Sequence, residues 1–281
     1  MWALLAVFSA VLLGLYDVAK KKALQQNGIF AVLLVATALS TLFVSPFLRL
    51  GPAADHLRLA LKAVLVTASW VSGMVGLKLL PLTTVSTLKG SRPVFVVLFS
   101  IILFGEKLNW MQWAGIAVVL CALWLLGRTS RSDATQQARR KGFIFMGISI
   151  VTGVCSALYD KHIIAGMEPM FVQSWTNLFI TLILAAIVGV KGLIEGDKRE
   201  RIRWDWTLLV VAVLITGADA LYFFSLKQPG ALLSVISVVR RASVLVTFIV
   251  GAILFKEGNI SRKALNMLLM AAGVALLLIG S

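Results

Sequence analysis

The chain has 281 residues, 59% of them hydrophobic and 14% charged, and its net charge is +15. A mean hydropathy of +0.94 excludes a soluble globular domain, whose apolar fraction is about 45–50%. In a soluble protein this excess of cations would suggest nucleic acid, but a membrane protein gathers cations in its cytoplasmic loops, so no nucleic-acid partner is expected.

A spanning helix needs about 20 apolar residues. The sequence holds ten such runs, at 2–24, 29–49, 58–79, 82–104, 109–127, 142–165, 169–191, 205–226, 230–255 and 262–280. They predict an all-α, polytopic membrane protein with no room for a soluble domain. Long apolar runs, rather than alternating segments of about ten residues, exclude an outer-membrane barrel. The first run lacks the basic leader region of a signal peptide and continues into Tyr16-Asp17, so it reads as a retained helix. Residues 128–141, RTSRSDATQQARRK, are polar and basic and make a linker between 1–127 and 142–281.

Several short patterns recur in the same order in both halves. GLYDVAKKKAL at 14–24 answers to ALYDKHIIAGM at 157–167, which pairs Asp17 with Asp160. Leu-Lys before proline pairs Lys78 with Lys227, and the same register sets Trp70 opposite Asp219. A shift of 151 residues carries Ser86 onto Ser237, Lys89 onto Arg240 and Phe104-Gly105-Glu106 onto Phe255-Lys256-Glu257. Five spans is an odd number, so two such repeats must enter the membrane with opposite orientation, and sites of this architecture lie near the midplane between repeats. The loop cations set the orientation. Arg128, Arg131, Arg139, Arg140 and Lys141 lie between the fifth and sixth spans, and Lys191, Lys198, Arg199, Arg201 and Arg203 between the seventh and eighth. Arg49, Arg58, Lys62 and Lys107 are the thinner set on the other side. Odd-numbered loops, including the 128–141 linker, are therefore expected in the cytoplasm.

The fourth span carries Ser86, Lys89 and Arg92 on one helical face, and the ninth carries Ser234, Ser237 and Arg241 on one face with Arg240 beside it. Each buried cation costs about 2.5–3.5 kcal/mol to insert, so the four together cost about 10–14 kcal/mol. Two readings account for them. They form an anion site, since guanidinium forks bind carboxylate or phosphate bidentately, or they pair internally with Asp17, Asp160 and Asp219. Asp17 has Lys20 and Lys21 at helical ion-pair spacing. Asp160 has no such neighbour and must find a partner on another helix or bind a proton. It could couple protonation to transport or occupy the arginines when substrate is absent. Tyr16 and Tyr159 are candidate hydrogen-bond donors to substrate. Lys78 and Lys227 are expected at the cavity mouth, and Asp219 buried against a cation.

Cys121 and Cys155 lie in apolar runs and imply neither a disulfide framework nor a metal site. His56 and His162 are too far apart in sequence to suggest one. No nucleophile elbow, Walker loop or HExxH motif is present, so no enzymatic activity, cofactor or ATP drive is expected.

FGEKLNWMQWAGIAVVLCALWLL at 104–126 and FKEGNISRKALNMLLMAAGVALLL at 255–278 each place a Phe-x-Glu turn before a final glycine-containing helix. In this the chain resembles the drug/metabolite transporter superfamily in its ten-helix form, with two EamA-type repeats. Such families usually put a proline in the fourth helix of each repeat; Pro93 keeps it, and Val244 stands at the second position. With Arg240-Arg241 nearby, the ninth helix is similar to the triose-phosphate and nucleotide-sugar branches, where an adjacent basic pair holds phosphate. The resemblance implies a secondary transporter of a small anionic or zwitterionic metabolite, phosphorylated ones included, working by alternating access in the cell (inner) membrane. The proton is the candidate coupling ion, and a monomer or weak dimer is expected. The alternative is an exporter of amino acids or amphipathic compounds with the charges as internal gates. A membrane scaffold without a central site, or an intramembrane enzyme acting on lipid headgroups, has less in the sequence behind it.

Overall fold

The computed structural model describes the chain except for residues 81–87, 89–90, 128–135, 196–202, 244, 248, 251–259 and 281, and except for the side chains of 21, 77–78, 126–127, 136–139, 194–195 and 260–267. Among the described residues it holds ten α-helices and no strand. They are α1 Trp2–Ala23, α2 Ile29–Val44, α3 Ala53–Leu79, α4 Arg92–Phe104, α5 Trp110–Gly127, α6 Gln136–Gly166, α7 Pro169–Glu195, α8 Trp206–Lys227, α9 Leu233–Arg241 and α10 Ile260–Ile279. Helices α1–α3 and α6–α8 are long and apolar enough to cross a bilayer, and the described parts of α4, α5 and α10 are shorter apolar helices. Large apolar side chains such as Leu4, Phe8, Leu57, Ile102, Leu103 and Leu193 stand exposed on the outside, as a lipid-facing surface requires. Trp110, Trp204 and Trp206 are exposed at or just before helix starts, where indole rings favour the membrane interface.

Two helices start well ahead of the sequence reading. Helix α3 starts at Ala53, ahead of the expected 58, with Asp55 in its first turn facing the positive end of the helix dipole. Lys62 lies well inside this helix and is buried, so it is no loop cation. Helix α6 starts at Gln136, so the end of the expected linker, QQARRK, is already helical; Gln, Ala, Arg and Lys are all good helix formers.

The principal helix contacts run between the halves. Helix α1 packs on α8 and α3 on α6, while α2 faces α7, α4 faces α9 and α5 faces α10. Exchanging α1–α5 with α6–α10 turns this set of pairings into itself. Lipid is as apolar as a leucine side chain, so close backbone approach and small polar groups hold such helices together. Ser69 Oγ donates to Ser149 O (2.7 Å) and Ser149 Oγ to Ser69 O (2.6 Å) across α3 and α6. Ser9 Oγ donates to Ala218 O (2.6 Å) across α1 and α8. At the α5–α10 crossing a Cβ on Gly115 would stand 2.8 Å from Gly273 O, so only glycine fits.

Candidate functional site

Helices α4 and α9 face one another, and each is interrupted at the same point of the repeat. Before α4 the Ser91 amide donates to Leu88 O (3.2 Å) and the Val94 amide to Ser91 O (3.0 Å). After α9 the Ala242 amide donates to Val239 O (2.9 Å) and the Leu245 amide to Ala242 O (2.8 Å). All four bonds reach back three residues, the tighter 3-10 spacing. The shift of 151 that aligns the Phe-x-Glu turns maps Leu88, Ser91 and Val94 onto Val239, Ala242 and Leu245. Arg92 lies within the first pair of turns, and Arg240 and Arg241 lie within the second.

The three guanidinium groups lie close enough for their charges to act on one another. Their partners differ. Arg92 Nη2 donates to the Gly153 carbonyl on α6. Arg240 lies over the Tyr222 ring (4.2 Å) and its Nη2 donates to Asp219 Oδ1 at 2.9 Å, both on α8. Its buried Nε has no hydrogen-bond partner among the described residues. Arg241, half-buried, makes no hydrogen bond or ion pair to any described residue, and Asp17 is an opposite charge acting on it.

Asp17, Asp160 and Asp219 are all taken. Asp17 accepts from Lys20 Nζ at 3.2 Å, and Lys20 also covers the buried Tyr16 ring at 4.6 Å. Asp160 pairs with Lys62 of α3 through Oδ1 and accepts from Tyr222 Oη through Oδ2 at 3.2 Å. Lys62 in turn rests on the Phe223 ring at 4.3 Å. This pair is sealed, with the Lys62 and Asp160 side chains only 3% and 8% exposed. Asp219 takes Arg240. Three cations are matched by three carboxylates, and Arg92 and Arg241 are left without one among the described residues.

The remaining expected residues fall outside this cluster or outside the described residues. Ser237 is half-buried on α9, one turn before Arg241. Tyr159 stacks on His162 at 6.2 Å. Lys227 is exposed, and its Nζ donates to Ile164 O (2.9 Å), Ala165 O (3.0 Å) and Met167 O (3.1 Å). All three ammonium protons are thus used on the carbonyl end of α6. Ser86 and Lys89 lie outside the described residues, as does the side chain of Lys78.

Ser234 belongs to a different device. Gly105 ends α4 in the left-handed region (φ 61°), a conformation glycine adopts without penalty, and this turns Glu106 toward α9. The buried carboxylate accepts from the Leu233 amide (2.7 Å), the Ser234 amide (3.1 Å) and Ser234 Oγ. It caps the N-terminus of the helix that carries the arginine pair, satisfying amides that have no partner within the helix. Lys161 Nζ donates to Ala231 O close by. Among the described residues no three His, Cys, Asp or Glu side chains gather as metal ligands.

Residues 1–128 match the EamA-like transporter family. A Sinorhizobium sp. protein named "Uncharacterized transporter in cobO 3'region" is 31% identical over 133 residues, covering 93% of that protein and 44% of this chain. That relative is thus about as long as one half of this chain. A solved crystal structure 14% identical in sequence superimposes with a TM-score of 0.78 over 100% of this chain and 99% of that one, which shows the shared fold. The chain belongs to the EamA-like transporter family, within the drug/metabolite transporter superfamily, and is a multi-pass membrane transporter rather than an enzyme.

Proposed function

We propose that the protein is a secondary transporter of a small anionic or zwitterionic metabolite, phosphorylated ones included, which binds between α4 and α9 at Arg92, Arg240 and Arg241. The observation that carries this reading is the charge balance. Asp17, Asp160 and Asp219 are each paired, and two guanidinium groups remain near one another without a carboxylate. In a lipid-embedded bundle such a surplus is costly, and an anion with two oxygens matches the guanidinium fork. Lys89, Ser86 and Ser237 extend the same site on sequence grounds.

The two halves act as inverted repeats that rock about this site to expose it alternately. The interchange of helix pairings, the matching 3-10 turns at Ser91 and Ala242 and a relative of half the length support that reading. The orientation set by the loop cations, residence in the inner membrane and a proton as coupling ion complete the proposal. Uptake of anionic and zwitterionic metabolites into proteoliposomes, by wild type and by the double change Arg240→Ala with Arg241→Ala, tests it. We expect uptake of the true substrate to fall at least tenfold; unaltered uptake would remove the anion site.

The Arg240–Asp219 bridge favours a second reading, export of amino acids or amphipathic compounds with the charges as internal gates. That reading expects cationic or neutral compounds to be carried in preference to anions in the same assay.

A further inference from the structure

We infer that Asp219 stands in the substrate's place on Arg240, so that an arriving anion displaces it and the freed carboxylate takes up one proton for each anion bound. The inference rests on the anion site proposed above and assigns its coupling group.

The two interhelical ion pairs around the arginines are built differently, and only one can open. Asp160 has both oxygens engaged, by Lys62 and by Tyr222 Oη, and the pair is sealed from solvent. Asp219 gives one oxygen to one nitrogen of Arg240, at 2.9 Å, with side chains 27% and 18% exposed. A single charge-assisted bond between partly exposed side chains is the one a competing anion can replace. The guanidinium has five donors, and Asp219 occupies one of them. Arg241, adjacent in the chain and without a hydrogen bond among the described residues, offers the incoming anion its first contact. Tyr222 keeps Arg240 in place during the exchange, because its ring lies under the guanidinium and its hydroxyl is anchored on Asp160.

Once displaced, Asp219 has nowhere else to put its charge. Among the charged and titratable groups whose charges reach it are Arg240 of α9, Tyr16 of α1 and Asp160 of α6. From α2 and α7, the side chains bonded to the neighbouring turn of α8 are Ser40 and Gln173, both uncharged. Without its guanidinium the carboxylate is an unpaired charge in a half-buried position, so it binds a proton. When the anion leaves, the proton leaves and the bridge to Arg240 re-forms. For a singly charged anion, charge in the site is conserved through the cycle, and proton and anion move together.

The test uses sulfate, which does not titrate near neutrality, and purified full-length protein in detergent. Calorimetry in two buffers of different ionisation enthalpy reads both affinity and protons taken up. The wild type is expected to take up about one proton per sulfate bound. Asp219→Asn is expected to take up none and to bind sulfate about tenfold more tightly, as follows if the bridge is closed about nine-tenths of the time. Size-exclusion chromatography checks that the variant is folded; Asp219→Ser removes the same carboxylate should Asp219→Asn fail that check. Sulfate binding without proton uptake by the wild type, or no tighter binding by the variant, overturns the inference and leaves the anion site standing. No binding by wild type or variant, or equal binding after Arg240→Ala with Arg241→Ala, sinks the anion site itself.

Discussion

Removing one partner of the Lys62–Asp160 pair should be the most damaging single change available in the interior. Lys62→Met keeps the length and apolar stem of the side chain, so it removes the charge with little change in packing volume. It leaves Asp160 with only Tyr222 Oη at 3.2 Å, in a place where the carboxylate side chain is 8% exposed. Breaking a buried ion pair from one side costs about 3–5 kcal/mol, because the surviving charge stays buried without its partner. Asp160→Asn strands the ammonium over the Phe223 ring and should cost a similar amount. The double change Lys62→Met with Asp160→Asn buries two neutral groups of nearly the original shape, and such replacements are often close to neutral. Equilibrium unfolding of the four proteins in mixed micelles then closes a double-mutant cycle, with an expected coupling of about 2 kcal/mol or more. A double variant as unstable as the sum of the singles would refute the reasoning, since the two side chains would then be acting independently. Singles that cost less than about 1 kcal/mol would equally refute it.

Three further changes probe the frame around the site. Glu106→Gln removes the charge from the cap on α9 while retaining an acceptor, and should lower the midpoint of thermal unfolding by an amount equivalent to about 1–2 kcal/mol. Gly115→Ala introduces a methyl 2.8 Å from the Gly273 carbonyl, and overpacking of this kind should cost about 1–3 kcal/mol, read by the same unfolding assay. Lys227→Met removes three bonds to the end of α6 from an exposed position, so a loss of about 1 kcal/mol is expected. Sulfate affinity should be unchanged in that variant, whereas a gating role for Lys227 would change it.

The apolar runs carried the architecture, because a helix in lipid must satisfy its own backbone and shows itself by length and hydropathy alone. All ten runs have a helix among the described residues. Arg92, Arg240 and Arg241 were legible for a related reason, since a cation inside an apolar run stands out. Lys62 was read as a loop charge because it lies near the start of its run, where a lysine ordinarily serves that way, and its burial comes from packing against Asp160 of α6 and Phe223 of α8. Its partnership with Asp160 joins residues 98 apart in the chain, and no local pattern announces such a pair. Tyr222 was hidden in an aromatic cluster, LYFF, that reads equally well as packing. The partners of Lys227 were not legible, because proximity to a helix end says nothing about which neighbouring helix end its ammonium will reach.

The paired 3-10 turns raise the question of what bends α4 and α9 beside their arginines. Proline explains the first on local grounds: Pro93 has no amide hydrogen, and a proline in a helix interior costs about 3 kcal/mol. The second has the same hydrogen bonds around Ala242, yet Val244 occupies the position equivalent to Pro93. A turn that forms without proline in one half is imposed by its surroundings. Those surroundings include Arg240, drawn to Asp219 and Tyr222, and on the other side Arg92, drawn to the Gly153 carbonyl. Pro93→Ala should therefore keep its turn and lose only the proline's restriction of the unfolded chain, about 0.4–1 kcal/mol. Arg92→Leu, which releases α4 from α6, should loosen the turn even with Pro93 in place. Amide hydrogen exchange at Ser91 and Val94 reads both variants. Faster exchange in Pro93→Ala than in Arg92→Leu would return the cause to the proline and take it away from the charges.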